Sequence, residues 1–234
     1  MFYKTYMFGE TAVCYREVPV EGHENKSTVG LALFPAGKEP GGIAMDSLVQ
    51  AAFTGDETLI DYTLGVTMRN REGTLLKVEE QAADEASVTT RLADGRGNAY
   101  VHHLCYSAAT GVFTVWVEYF NRTGREQTLE SLQSFSISGI HAHRDGKATL
   151  AGLKLHRMTS AWSRECRPEE DSFANLGLDT SWARYGVKCE RFGEVGSMSN
   201  RGHFPFAAVE DAERGIVWAA MIEAPSSWQM EVYD

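Results

Sequence analysis

Two histidine pairs, a scatter of carboxylates and five tryptophans are the side chains of this 234-residue sequence whose types could do chemistry. His102-His103 and His141-Ala142-His143 have the side chains of metal ligands. On a strand, adjacent residues point to opposite faces, so His102 and His103 cannot both reach one ion without distortion. His141 and His143 can share a face, but no third and fourth ligand accompany them. They read as a loop pair beside Arg144-Asp145-Gly146, and no metal site is expected. Glycosidases work with two carboxylates about 5–10 Å apart. Glu130, Glu165, Asp171, Asp179, Glu210 and Asp211 are the candidates, yet no local context pairs any two of them. A serine nucleophile would call for a GxSxG elbow, which does not occur. Pro40-Gly41-Gly42 lacks the GK[ST] ending of a phosphate loop. No catalytic residue and no cofactor is assigned.

The tryptophans say more, because sugar rings stack on exposed aromatic faces. Trp116 and Trp218 lie in apolar strands and read as core. Trp162, Trp182 and Trp228 lie near polar, turn-like sequence and are the candidates for a ligand or subunit contact.

The elements that must position these residues are strands. Period-two alternation runs through Ile60, Tyr62, Leu64 and Val66, then Tyr100, His102, Leu104 and Tyr106. It continues through Phe113, Val115, Val117 and Tyr119, and again through Trp228, Met230 and Val232. The N-terminal residues Met1 to Glu10 read as a first strand. Asp94-Gly95-Arg96-Gly97, Ala109-Thr110-Gly111, Asp145-Gly146 and Glu213-Arg214-Gly215 supply turn residues that tolerate positive φ. Leu92 to Tyr100 and Tyr106 to Val112 are therefore hairpin connections. Strands at this spacing predict an all-β antiparallel sandwich or barrel. Helix signals are thin: Asp46 can cap a short turn through Phe53, and Pro168 to Phe173 can form another.

Composition limits the partners. A net charge of −10 repels phosphate backbones, so nucleic acid is not expected. No apolar stretch approaches the ~20 residues of a membrane span. The N-terminus lacks a signal-peptide pattern, which makes a cytoplasmic location the expectation. Cys14, Cys105, Cys166 and Cys189 form no CxxC pair and are expected as free, buried thiols.

Several segments, taken in order, resemble the N-terminal domain of family 36 glycoside hydrolases, the α-galactosidases. Met45-Asp46-Ser47-Leu48-Val49-Gln50 looks like the family's L-D-(T/S)-L-x-Q segment, and Asn121 to Phe135 resembles a strand entry. Leu153 to His156 followed by Trp162-Ser163-Arg164-Glu165 is similar to the G-x-W-x-R-E region. Gly193 to Ser197 followed by His203 to Val209 resembles the stretch ending in P-F-x-A-L, and Gly215 to Trp228 follows the family's last strand pair.

The resemblance covers residues 29 to 234 and implies one β-supersandwich domain over 1–234, of the galactose mutarotase type, preceding a (β/α)8 catalytic barrel. The family's catalytic carboxylates belong to that barrel, in a Lys-(Trp/Tyr)-Asp setting that is not found here. The implied partners are the chain's own C-terminal barrel, further copies in a homo-oligomer and a galactoside-type sugar. Lys38, Asp46, Trp162, Trp182 and Trp228 are the expected sugar or subunit contacts. The sequence departs from the family in the compact Phe34 to Gly42 loop and in Ala51, where an acid is usual. Two rival readings are a self-sufficient aldose 1-epimerase, using His102 or His103 with a late glutamate, and a stand-alone carbohydrate-binding module.

Overall fold

The computed structural model describes residues 2–19, 26–38, 45–56, 58–61, 65–70, 75–140, 152–178, 189–223 and 226–233. In chain order the first strands are β1 (Tyr3–Phe8), β2 (Thr11–Pro19), β3 (Ser27–Pro35), β4 (Ala51–Phe53), β5 (Thr58–Asp61) and β6 (Gly65–Asn70). They are followed by β7 (Leu76–Ala83), β8 (Ser87–Asp94), β9 (Ala99–Ser107), β10 (Val112–Phe120) and β11 (Leu129–Leu132). The later elements are β12 (Leu153–Thr159), β13 (Arg167–Ser172), α1 (Phe173–Leu176), β14 (Cys189–Glu194), β15 (His203–Asp211), β16 (Ile216–Met221) and β17 (Trp228–Tyr233). The fold is all-β and its sheets are antiparallel, as the alternation requires. Two compact units share the chain: Met1–Leu59 with Met68–His143, and Ile60–Thr67 with Arg144–Asp234.

In the first unit, a sheet of order β1-β2-β3 and a sheet of order β10-β9-β8-β7 enclose one core. Phe8, Val13, Tyr15, Val29 and Leu31 from the first sheet meet Val88, Leu92, Tyr100 and Leu104 from the second. That is a sandwich, with one side chain in two from each strand turned inward. Each fully buried Leu, Val or Phe contributes on the order of 1.5–3 kcal/mol.

The β8–β9 connection shows why the turn chemistry was readable. The Asp94 carboxylate accepts hydrogen bonds from the backbone N–H of Arg96 and Asn98 and from Asn98 Nδ2, each at 2.9 Å, and from the Tyr100 hydroxyl at 3.0 Å. Gly97 sits at φ +95°, where a side chain is strained. Burial and the Asp94 charge push the Tyr100 hydroxyl pKa up, so it stays a donor.

In the second unit, β13-β12-β15-β16 form one sheet and β14 pairs with β17. Leu153 and Leu155 of β12, Val209 of β15, Ile216 of β16 and Phe192 of β14 are buried.

Both expected helices are corrected. The stretch after Asp46 bends and then pairs as β4 with β11, because Leu48, Val49, Ala51 and Phe53 are all drawn into the core and one helical face could not bury them. Arg167–Ser172 is a strand in register with β12, and α1 begins only at Phe173, capped by Ser172, whose hydroxyl accepts the Asn175 N–H at 3.1 Å. Gly177, at φ +65°, closes α1 after a single turn.

Candidate functional site

The side chains with chemical potential gather at one end and on one face of the second unit's sheet. At the end, the loop joining β12 to β13 is a tight turn in which Ala161 and Arg164 exchange backbone hydrogen bonds at 3.3 and 2.8 Å. Ser163 and Cys166 both lie in the left-handed region, at φ +59° and +54°. Non-glycine residues there cost of order 1 kcal/mol or more each, and the surroundings must hold them. Glu165 helps by accepting the Ser163 N–H at 3.0 Å. The outcome is that Trp162 stands at the tip of the turn with 89% of its surface exposed.

The loop joining β14 to β15 lies alongside. Ser160 N–H donates to the Gly202 carbonyl at 2.9 Å, which ties the two loops together. Glu194, at the end of β14, accepts the N–H groups of Gly202 at 2.6 Å and His203 at 2.7 Å. Gly196 N–H donates to Ser227 Oγ at 2.9 Å, and Trp228 Nε1 donates to the Ser199 carbonyl. A Cβ on Gly193 would collide with the Trp228 carbonyl, so β14 approaches β17 at a distance only glycine allows. Held this way, Val195 is 95% exposed and Met198 55% exposed, both on the same pair of tied loops as Trp162. Beside them Thr159, Ser160, Ala161, Arg164, Arg167, Pro168 and Glu169 line a shallow cleft of about 320 Å³.

On the outward face of the same sheet, three strands bring His156, Glu170 and Glu210 together. Their donor atoms all lie within 4.8 Å of one another. His156 Nε2 is 2.7 Å from Glu210 Oε2, and His156 Nδ1 is 3.8 Å from Glu170 Oε2. Lys154 Nζ donates to Glu170 Oε1 at 2.7 Å. That hydrogen bond and the ammonium charge lower the Glu170 pKa, while the same bond and the Glu170 carboxylate charge raise that of Lys154. On the opposite face Arg157 bridges Asp171 and Glu190 and lies over the Phe192 ring, 5.6 Å from its centre.

The expected contact residues are dispersed. Trp162 is exposed at the tip of the β12–β13 turn. Trp228 is buried, with 7% of its surface exposed and its ring edge-on to Phe192 at 6.1 Å, so it offers no face to a ligand. Trp182 lies outside the described residues, as do Asp179, His141 and His143. Lys38 is exposed at the end of the turn after β3, where its N–H donates to the Pro35 carbonyl at 3.0 Å. Asp46 is half-buried and its N–H donates to Ser138 Oγ at 2.9 Å. Both belong to the first unit.

Other expectations are corrected by burial. Trp116 is 41% exposed on the outward face of edge strand β10, stacked on His103 with ring centres 4.6 Å apart. The Phe113, Val115 and Val117 face of β10 turns to the core, and Trp116 lies on the other, mixed face with Thr114 and Glu118. His103 in turn meets Glu118 at 2.7 Å. His102 is fully buried, and neither ring nitrogen has a hydrogen-bond partner among the described residues. A group sealed in that way cannot act on a sugar. None of the four cysteines is in a disulfide; only Cys14 is buried, and Cys166 is exposed. Burial, then the Glu231 charge, pushes the Cys189 thiol pKa up to about 12.

Sequence reasoning missed His156 and Glu170 altogether. They are 14 residues apart and meet only because β12 and β13 pair in a register that sets one opposite the other. A Lys-x-His alternation, Lys154 and His156, followed by the strand residues Glu169-Glu170-Asp171 was the available signal. No protein-family model matches this chain, and no curated protein matches it.

Proposed function

We propose that this chain is the non-catalytic N-terminal domain of an α-galactosidase-like retaining glycosidase, and that the loop end of its second unit is the surface that packs on the catalytic barrel. One observation carries the reading. The segments that resemble the family, Trp162 to Glu165, Gly193 to Ser197 and the start of His203 to Val209, converge on one pair of tied loops. Those loops present three large apolar side chains, Trp162, Val195 and Met198, to solvent. Exposed apolar groups held on rigid, strained loops are the mark of a docking surface, and tryptophan is the residue type most often dominant in one.

The reading is tested by assaying the chain for hydrolysis of p-nitrophenyl α-galactoside and by reading the coding sequence past Asp234. No turnover is expected from the chain, and the coding sequence is expected to continue into β-α alternation with a Lys-(Trp/Tyr)-Asp strand end. Turnover by the chain alone overturns the reading.

A further inference from the structure

We propose that His156, Glu170 and Glu210 form a binding site for one divalent transition-metal cation of the zinc class on the outward face of the second unit's sheet. The proposal is independent of the glycosidase reading. Each ligand comes from a different strand, Glu170 from β13, His156 from β12 and Glu210 from β15, and these three are neighbours in the sheet. His156 lies directly across from Glu170, while Glu210 pairs with Lys154, two residues from His156 on the same face. Register therefore places one imidazole between two carboxylates, with donor atoms within 4.8 Å of one another.

Zinc is bound by imidazole nitrogen and carboxylate oxygen, and its open sites use three protein ligands with water in the fourth position. Magnesium and calcium prefer oxygen alone, so the imidazole selects against them. The three side chains are between 31% and 51% exposed, which leaves water free to complete the coordination sphere. Lys154 is the competitor: its ammonium occupies one oxygen of Glu170 at 2.7 Å. A cation here would pin edge strand β13 to β12 and β15, and so stiffen the hairpin whose tip carries Trp162.

The test is isothermal titration of the chain with zinc chloride, with thermal unfolding as a second readout. Cys166 is exposed and also takes zinc in principle, so Cys166→Ser is included as a control. One zinc site is expected in the wild type and in Cys166→Ser. His156→Ala and Glu210→Gln are each expected to weaken it by about tenfold or more, and Lys154→Met to tighten it, since the competing charge is gone. At ten times the dissociation constant the unfolding temperature should rise by roughly 3 °C or more. Magnesium chloride should give no comparable signal. Absence of zinc binding, binding that survives His156→Ala, binding lost in Cys166→Ser, or equal binding of magnesium overturns the proposal.

Discussion

Replacing His102 with leucine should make this protein more stable at neutral pH and reduce its sensitivity to mild acid. His102 is fully buried in the core of the first unit, between Thr90 of β8 and Val117 of β10 in the strand register. Neither ring nitrogen meets a hydrogen-bond partner among the described residues. Leaving a buried polar group unsatisfied costs roughly 1–3 kcal/mol, and leucine fills a similar volume without that cost. Burial, and secondarily the neighbouring His103 charge, lowers the His102 pKa from 6.5 to about 3.

The sign follows from linkage. The folded-state pKa is depressed, so protons bind the unfolded chain more readily than the folded one, and stability falls as pH drops below 6.5. Each pH unit below that value costs about 1.4 kcal/mol until the folded pKa is reached. Between pH 6.5 and 5 the loss is therefore about 2 kcal/mol. The carboxylates whose pKa values are lowered, Glu17 by Ser27 and Asp84 by the Ala86 N–H, lose their favourable contributions only at more acidic pH. Urea unfolding of wild type and His102→Leu at pH 7.0, 6.0 and 5.0 measures both effects. The variant should be more stable at pH 7.0, and between pH 6.5 and 5.0 it should lose about 2 kcal/mol less than the wild type. A less stable variant whose slope parallels the wild type would refute the reasoning, because it would mean that His102 is satisfied and not a proton-linked liability.

Three further outcomes follow from the same geometry. Gly193→Ala should destabilise by roughly 1–3 kcal/mol in thermal unfolding, since its Cβ meets the Trp228 carbonyl and β14 must move. Asp94→Ala should cost about 3 kcal/mol or more, because four donors lose one buried acceptor and Arg96 loses a partner; a denaturant midpoint near that of wild type would contradict this. Trp162→Ala should leave the unfolding midpoint within about 0.5 kcal/mol of wild type, because the ring is 89% exposed and little packing is lost.

What the sequence disclosed depended on how local the cause was. The β8–β9, β9–β10 and β15–β16 hairpins were legible because their turns carry their own instructions: Gly97, Gly111 and Gly215 all adopt the positive φ their positions demand. The Asp46 and Pro168 stretches were misread for the opposite reason. Each has a plausible local helix start, but pairing with β11 and β12 respectively, more than fifteen residues away for β11, decides their state. Tryptophan burial was least legible. Trp228 sits in polar sequence yet is buried, because Phe192 covers its ring and Ser199 satisfies its indole N–H. Trp116 sits in apolar sequence yet faces outward, because period-two alternation puts it on the opposite side from Val115 and Val117.

The two readings of the second unit come from different layers of the same sheet. The loop end is visible in sequence through the polar setting of Trp162 and the Trp162 to Glu165 resemblance, while the positive φ of Ser163 and Cys166 carries no Gly or Asn to announce it. The His156 cluster is invisible there, because it exists only when β13, β12 and β15 align. The two are also physically joined, since β12 and β13 are the arms of the hairpin that ends in Trp162. A cation on the face of those arms would restrict how the tip moves, so zinc should lower hydrogen exchange at the Ala161 and Arg164 amides as well as in the strands. Protection confined to the strands would separate the metal site from the turn that carries Trp162, and protection of both would make the hairpin one mechanical unit.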